Sequence, residues 1–303
     1  MSNHQHSSER TKGLIAVALV SLLWGTTWMA SKIGIRHLPA LQLSGLRHII
    51  GGSLYVVYFA AVKKMYLRKD QILRILLMAI IMFVLSNGLS VLSVVYMPSG
   101  IASVIGAIAP IWVVIISYFS KKKTNFLPQT ILGILLGFVG VIISFYDYIG
   151  EIKEGNFALG IFFGLVSSIT WAIGALLTAK QAKDTDPYFS LGWQMLLSGI
   201  LLNLISYATG NFVTINHLPT EAWLSIAYLV LIGSVIAFGA YVYALKRLPA
   251  ALVTVHAYIN PIVALIIGSA LMKEKLTIHI AIGTAATLFG VFIVNNSFKK
   301  SAT

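Results

Sequence analysis

The sequence contains no cysteine and few charged residues. The absence of cysteine among 303 residues excludes disulfides, thiolate zinc sites, iron–sulfur ligation and a cysteine nucleophile. Charged residues make up 10% and hydrophobic residues 58% of the chain, and the mean hydropathy is +0.87. A soluble domain of this size would carry a charged surface. Because the charges here stand in short clusters between long apolar runs, the composition predicts a membrane protein.

Acidic residues are the scarcest charged type, with nine Asp and Glu against 22 Lys and Arg. None lies in the middle of an apolar run, and Asp147 is close to the end of one. A carrier of hydrophobic cations would need a membrane-buried acid, so its absence disfavours a cationic solute. A neutral, zwitterionic or anionic solute remains open, and proton coupling through a carboxylate is weakened.

Motifs of enzymes and ATP-driven pumps are missing as well. The chain has no HExxH zinc pair, no GxSxG elbow, no paired buried aspartates and no Walker loop. We therefore expect no catalytic residues, no metal and no cofactor.

Proline is rare, yet six of the eight prolines fall into pairs that recur in register in the two halves of the chain. Pro98 and Pro110 are twelve residues apart, as are Pro249 and Pro261. Tryptophan and glycine residues extend the match, which indicates an internal duplication of the kind found in transporters. The further pairs are Trp24 with Trp171, Pro39 with Pro187, Gly133 with Gly283, and Gly140 with Gly290.

Apolar runs of about 20 residues, long enough to cross a bilayer as helices, occur ten times. The runs do not alternate with a period of two residues, which excludes a barrel. The sequence thus predicts an all-α integral membrane protein with ten transmembrane helices. They are placed at 13–35, 40–62, 72–96, 99–119, 128–148, 157–179, 188–209, 221–245, 250–271 and 277–296.

Lysine and arginine predict the orientation of these helices. With both termini cytoplasmic, most of the 22 basic residues fall in loops on the inner side. The net charge of +13 is thus a topology signal, and no basic domain for nucleic acid exists. Five helices per repeat is an odd number, so the second repeat is predicted to be inverted relative to the first. The predicted divisions are a polar tail 1–12, a first repeat 13–148, a linker 149–156, a second repeat 157–296 and a tail 297–303.

The chain resembles the drug/metabolite transporter superfamily, and within it the EamA-type carriers, over residues 13–296. The residues that carry the resemblance are Leu23 to Trp28, Leu46-Arg47, Pro98 to Ala102, Pro249 to Val253, Asn260-Pro261, and Lys273 to Leu276. The resemblance implies a carrier of amino acids or similar small metabolites, commonly an exporter, in a bacterial inner membrane. Such carriers often have an acid after the fourth helix, where this chain has Lys121-Lys122-Lys123-Thr124. We expect its counterpart Glu274 to pair with Lys273 or Lys275.

Polar residues inside the predicted helices are candidates for the substrate site because they are costly in lipid. Lys32 either snorkels outward or lines a cavity. Arg47 either neutralises a substrate carboxylate or ties helix-end carbonyls. His256 either contacts substrate, where it could titrate, or is a satisfied buried histidine. Asn87 and Asn260 are amides that can bind a zwitterion, although Asn260, which precedes proline, could instead cap freed carbonyls.

Aromatic residues and prolines complete the candidate set. Trp24, Tyr96, Trp171, Tyr241 and Tyr258 could line a cavity between the repeats, or merely pack. Pro110 and Pro261 lie in the middle of predicted helices, where proline removes a backbone hydrogen bond and kinks the helix. They are candidate hinges, with an inherited shape without motion as the alternative.

Three function classes follow. The first is a secondary transporter of amino acids or related zwitterionic or neutral solutes. The second is a transporter of phosphorylated metabolites or nucleotide-sugars, and the third is a membrane sensor or enzyme. The expected partners are a small-molecule solute and the lipid bilayer. The GxxxG spacings Gly133/Gly137 and Gly160/Gly164 permit close helix packing, within the chain or in a homodimer, so monomer and homodimer both remain open.

Overall fold

The computed structural model describes residues 2–120, 127–153, 156–181, 185–248, 253 and 256–302. The regular elements in these residues are all helical. Pro249 and the 121–124 segment, which carry part of the predicted repeat, lie outside the described residues.

In its described residues, the first half contains eight α-helices and one long π-helical segment, Ile80–Gly88, between α3 and α4. The helices are α1 (Ser2–Gly34), α2 (Ala40–Ala61), α3 (Lys69–Ala79), α4 (Leu89–Tyr96), α5 (Ser99–Gly106), α6 (Ala109–Ser120), α7 (Pro128–Ser144) and α8 (Ile149–Lys153).

The second half has the same plan in its described part, with a π-helical segment, Leu229–Ile236, between α11 and α12. Its helices are α9 (Asn156–Gln181), α10 (Pro187–Ala208), α11 (Thr220–Tyr228), α12 (Ala237–Leu245), α13 (His256–Met272) and α14 (Ile278–Ala302).

Seven helical stretches of the described chain are long and apolar enough to cross a membrane. They are Glu9–Gly34, Lys69–Tyr96, Ser99–Phe119, Asn156–Thr178, Pro187–Ala208, Thr220–Leu245 and Ile278–Ser297. Two shorter apolar helices, α7 and α13, accompany them, and α2 adds a further 22-residue helix. Each segment predicted from hydropathy overlaps one of these helices.

Prolines begin several of the helices. Pro39 and Pro98 precede α2 and α5 with extended backbone angles, so the next residue starts the helix. Pro187 is the first residue of α10, where its missing N–H is not needed. The Asp186 carboxylate accepts hydrogen bonds from the N–H groups of Tyr188 and Phe189 at 2.9 and 3.1 Å, which caps the same helix.

Large apolar side chains cover the outside of the helices. Phe119 is 80% exposed and Leu73 is 68% exposed. Fully exposed side chains of this kind are rare on soluble proteins but normal where the solvent is lipid.

Two glycine seams join the halves. In the first, between α2 and α10, a Cβ added at Gly45 would lie 3.0 Å from the Gly199 carbonyl oxygen, and one at Gly52 would lie 2.8 Å from that of Gly192. Adding 147 to the numbers of Gly45 and Gly52 gives Gly192 and Gly199, so each contact is the counterpart of the other. Backbones can approach this closely only where no side chain separates them.

The second seam lies between α7 and α14 and follows the same rule. A Cβ at Gly133 would lie 2.8 Å from the Gly290 carbonyl oxygen, and one at Gly140 would lie 2.6 Å from that of Gly283. These are the four glycines that the sequence matches between the halves, and each one contacts the counterpart of the other. The glycines thus pack the two halves against each other.

The contacts of α1 and α9 are reciprocal as well. α1 packs against α11, α12 and α13, while its counterpart α9 packs against α4, α5 and α6. The two π-helical segments also occupy matching places. The described contacts therefore have an internal two-fold relationship.

Candidate solute-binding cavity

A cavity of about 240 Å³ lies between the two halves. Its walls come from α1, α2, the first π-helical segment, α4, α5 and α6 on one side, and from α9, α12, α13 and α14 on the other. At ~30 Å³ for each water in the liquid, the volume equals about eight waters, which suits a small metabolite. Arg47 is the charged residue among the described lining residues, and they include no Asp or Glu.

Arg47 is held in place by the second π-helical segment. Its Nε donates a hydrogen bond to the hydroxyl oxygen of Ser234, 2.8 Å away, and the residue is 4% exposed. A Cβ at Gly233 would lie 2.9 Å from Nη2, so the glycine leaves room for the guanidinium. No ion pair joins Arg47 to an acid among the described residues. The guanidinium is thus a fixed positive charge at the cavity wall.

The same π-helical segment accepts two further hydrogen bonds from the first half. Trp24 Nε1 donates to the carbonyl oxygen of Gly233 at 3.2 Å, and the Tyr55 hydroxyl donates to that of Val235 at 2.9 Å. A π-helical turn displaces carbonyls from their regular partners. These hydrogen bonds from α1 and α2 tie the segment to the first half.

Aromatic rings form one wall of the cavity around Trp24. The Trp24 ring centroid lies 5.8 Å from that of Trp171, 4.9 Å from Phe238 and 5.2 Å from Tyr241. Such rings offer apolar surface and electron-rich faces that attract cationic groups.

His256 and Asn260 lie one turn apart on α13 and both line the cavity. The Nδ1 atom of His256 is 2.8 Å from the carbonyl oxygen of Val253. Because a carbonyl can only accept, Nδ1 carries the proton, and Nε2 of the neutral ring is an acceptor. The Oδ1 atom of Asn260 is buried and has no hydrogen-bond partner among the described residues. The cavity wall therefore contains a buried acceptor that no described residue pairs with, although buried polar atoms are normally hydrogen-bonded.

The hydroxyl groups of the lining were missed by the sequence reasoning. Asn87, which was predicted, accepts a hydrogen bond from Ser44 at 3.3 Å. The described lining contains six serines: Ser31, Ser86, Ser90, Ser103, Ser167 and Ser168. The signal in the sequence was a small polar residue inside an apolar run, which is weaker than a charge or an amide.

Three predicted site residues lie outside the lining. Lys32 donates to the carbonyl oxygens of Val94 at 2.6 Å and Met97 at 2.9 Å, so its ammonium group caps the end of α4 and takes neither of the two places considered above. Tyr96 packs against Phe163 with ring centroids 6.0 Å apart. The Tyr258 hydroxyl accepts a hydrogen bond from Asn295 at 2.6 Å; Asn295 itself lines the cavity, so Tyr258 acts behind the wall.

The remaining predicted residues come together at the cavity. They are Trp24, Arg47, Asn87, Pro110, Trp171, Tyr241, His256, Asn260 and Pro261. Pro110 follows the break between α5 and α6, and Pro261 lies inside α13.

Glu274 departs from its expected pairing with Lys273 or Lys275. Its carboxylate accepts hydrogen bonds from the Ser99 N–H, the Ser99 hydroxyl and the Gly100 N–H, at 2.7, 2.8 and 3.0 Å. The prediction was wrong because the first turn of α5, which follows Pro98, offers N–H groups that have no partner inside the helix.

Two stretches of the chain, residues 11–146 and 158–296, match the model of the EamA-like transporter family. The chain belongs to this family. The match covers most of the sequence and, with the apolar helices, makes it a multi-pass membrane protein of a transporter family. As a member of the EamA-like family it is expected to bind a small-molecule solute.

The relatives of this EamA-like chain include two bacterial proteins. It is 25% identical over 290 residues to the uncharacterized transporter YoaV of Bacillus subtilis, covering 95% of this chain and 98% of YoaV. It is 28% identical over 281 residues to the uncharacterized inner membrane transporter YedA of Escherichia coli K12, covering 92% of this chain and 89% of YedA.

A solved crystal structure has the same fold as this EamA-like chain. The two superpose with a TM-score of 0.69, covering 97% of this chain and 99% of the other, at 16% sequence identity. At that identity the likeness concerns the fold alone.

Proposed function

We propose that the protein is a secondary transporter that moves amino acids or related zwitterionic or neutral solutes, in the direction of export, across a bacterial inner membrane. The observation that carries the proposal is the guanidinium of Arg47. It is a fixed positive charge at the wall of a cavity whose described lining has no acid. A buried charge with no opposite charge beside it is costly, and a solute carboxylate would offset that cost through two parallel hydrogen bonds.

The opposite end of a zwitterion also finds suitable groups. Asn260 Oδ1 has no donor in the part of the chain that the structure describes, and His256 presents Nε2 as an acceptor. The faces of the Trp24 and Trp171 rings add a surface that favours an ammonium group. We assign the carboxylate to Arg47 and the ammonium group to the α13 side, with the lining serines and Asn87 completing the hydrogen bonds.

The architecture proposed for transport is ten membrane-spanning helices in two inverted five-helix repeats, residues 13–148 and 157–296, with cytoplasmic termini. The reciprocal seams and the paired π-helical segments support it. An inverted repeat allows the two halves to exchange conformations, so that one central site opens to either side in turn. Pro110 and Pro261 are the proposed hinges, since both lie on the cavity wall, Pro110 just after the break between α5 and α6 and Pro261 inside α13.

Counterflow in liposomes with purified protein tests the function. The solutes are a labelled neutral amino acid, its amide, its deaminated acid, a phosphorylated sugar and a quaternary ammonium dye. We expect saturable exchange of the amino acid and a large loss for the amide, which has no carboxylate for Arg47. Exchange of the phosphate ester alone would replace this proposal with transport of anionic phosphorylated metabolites or nucleotide-sugars.

The topology has its own test, since the chain has no cysteine to give background labelling. Lys63→Cys and Thr214→Cys lie in exposed loops at matching places in the two halves. An impermeant maleimide should label them from opposite faces of the membrane. Labelling of both from the same face would contradict the inverted arrangement.

The hinges are tested by the double substitution Pro110→Ala with Pro261→Ala. Restoring the helix hydrogen bonds should slow exchange sharply and leave solute affinity unchanged. Exchange at the normal rate would remove the hinge role.

A further inference from the structure

Glu274 makes a contact between the halves that lies away from the solute cavity. The residue stands in the short connection between α13 and α14, and it binds the first turn of α5, 174 residues earlier in the chain. Its Oε1 accepts from both the N–H and the hydroxyl of Ser99, and its Oε2 accepts from the N–H of Gly100. We refer to these three hydrogen bonds as the Glu274–α5 contact.

The contact is strong for two physical reasons. The first N–H groups of a helix have no partner within it, and here one carboxylate satisfies two of them. The N-terminal end of a helix also carries a partial positive charge, and hydrogen bonds to an ionised acceptor are roughly twice as strong as neutral ones.

The backbone around Glu274 is shaped for this position. The Glu274 N–H donates to the carbonyl oxygen of Gly268 at 3.2 Å, which folds the connection back onto α13. Lys273 has a positive φ of 56°, an uncommon conformation for a residue with a side chain. A Cβ at Gly268 would lie only 2.5 Å from Oε2, so the glycine leaves the space that the carboxylate occupies.

A second charge binds the same turn of chain but belongs to the first half. Lys32 caps the carbonyls at the end of α4, just before the turn, while Glu274 caps the amides just after it. Both charges match the helix ends that they face. Lys32, the turn and α5 can move together, whereas the Glu274–α5 contact must break if the halves separate at this face.

The opposite face has no equivalent acid in its sequence. The counterpart of the Glu274 segment in the first half is 121–124, which reads Lys-Lys-Lys-Thr. The duplication thus kept the helices and lost, or never had, the second carboxylate. The two faces of the protein differ in this respect.

We infer that Glu274 is the residue that closes one face of the protein, and that release of its carboxylate from α5 is the step that opens this face. The inference rests on the proposed transport by alternating access. It concerns one face only, so it also predicts an unequal population of the two open states, with the face opposite Glu274 open more of the time.

Cysteine accessibility tests this without any solute. Ser90→Cys in the otherwise cysteine-free chain puts a single thiol on the cavity wall, and Lys275→Cys, an exposed position beside Glu274, identifies the face. An impermeant maleimide is added to that face, and the labelling rate at position 90 is measured. We expect the rate to rise at least threefold when Glu274→Gln is added.

Gly268→Ala is a second variant that keeps the carboxylate. Its Cβ pushes the carboxylate out of place, while alanine favours the helix, so the protein should remain folded and position 90 should label faster. Glu151→Gln, an exposed acid in α8, is the control and should leave the rate unchanged. An unchanged rate in both Glu274→Gln and Gly268→Ala, or an equal rise in the control, would overturn the inference.

Counterflow separates this inference from the proposed function. Faster labelling without exchange of any solute would support the closing role of Glu274 and contradict the proposed transport. Normal exchange with unchanged labelling would contradict only the closing role of Glu274.

Discussion

Arg47 donates a hydrogen bond through Nε to the hydroxyl of Ser234, 2.8 Å away, and this single contact fixes the cavity's positive charge to the opposite half of the protein. The bond uses only Nε, which leaves the guanidinium NH₂ groups for a solute. A planar group held at one nitrogen keeps its remaining donors in a fixed orientation.

Arg47→Gln should raise the half-saturation concentration of a carboxylate solute at least tenfold. A hydrogen bond to a charged group contributes about 1.5–3 kcal/mol, and about 1.4 kcal/mol corresponds to a factor of ten. The measurement is counterflow with an amino acid and its amide. Arg36→Gln, which changes an exposed arginine, is the control, and an equal effect of Arg47→Gln on the amide would contradict the assignment of the carboxylate.

Asn260→Leu should weaken solute binding severalfold with little loss of thermal stability. The Oδ1 atom of Asn260 accepts no hydrogen bond from any described residue, so we expect the protein without solute to lose no acceptor bond when the amide is replaced. Isothermal titration and the unfolding midpoint in detergent give the two quantities.

Asn203→Leu is the matched amide control. Its Nδ2 donates to the Gly199 carbonyl at 2.9 Å, and the residue is not in the cavity lining. We expect this variant to lower stability and spare binding. The reverse pattern in the two variants would show that Asn260 is a structural amide.

Gly290→Ala should destabilise the protein by roughly 1–3 kcal/mol or prevent its folding, as overpacking a close contact does. Its Cβ would lie 2.4 Å from the Gly137 nitrogen, whereas a Cβ at Gly150 would meet nothing within 4 Å. Gly150→Ala is the control, and the unfolding midpoint of both variants is compared with the parent. A midpoint for Gly290→Ala equal to that of the parent would show that α7 and α14 are not in close contact.

Asp147 should contribute stability that disappears in acid. Its carboxylate accepts a hydrogen bond from Thr277 and contacts His279 Nδ1 at 3.0 Å, and the Thr277 bond above all holds the pKa of Asp147 below its ordinary value. A depressed pKa means that the folded state favours the ionised form. The contribution is therefore complete above the ordinary pKa, about 3.9, and is lost as the pH falls through the lower folded value.

The comparison of the parent with Asp147→Asn across pH measures this effect. The parent should have the higher unfolding midpoint at neutral pH, and the difference should vanish at the acid end. A difference that is constant with pH would show that ionisation of Asp147 plays no part.

The positions of the helices could be predicted from the sequence because apolar length is a local property. The glycine pairs were also visible, since Gly140 and Gly290 repeat in register. The π-helical segments were not, because Ile80–Gly88 has the same apolar composition as a regular helix. The partner of Glu274 was missed for a different reason: it lies in the other half, and the donors are backbone groups that every residue type except proline possesses.

Charge, amide groups and aromatic rings in the sequence predicted part of the cavity lining. Arg47 and His256 stand out in an apolar run, and both line the cavity. The serines did not stand out, because a hydroxyl can satisfy itself on the carbonyl of its own helix, as Ser103 does on Gly100 at 2.5 Å. Lys32 carried the strongest charge signal near a helix end, yet its function there is set by the nearby carbonyls of α4.

The glycine seams have a reciprocity normally met between two identical chains: the contact of Gly45 with Gly199 is repeated by Gly192 with Gly52. Such an isologous surface is complementary to itself. If each repeat were a separate chain and two copies formed a dimer, every substitution would therefore appear on both sides of the interface. Once both copies lie in one polypeptide, the two sides can change independently. The seam is already asymmetric in its side chains, since a Cβ at Gly45 would meet the side chain of Asn203, whereas a Cβ at Gly192 would meet that of Tyr55. The fused chain is thereby free to become asymmetric while its backbone remains paired.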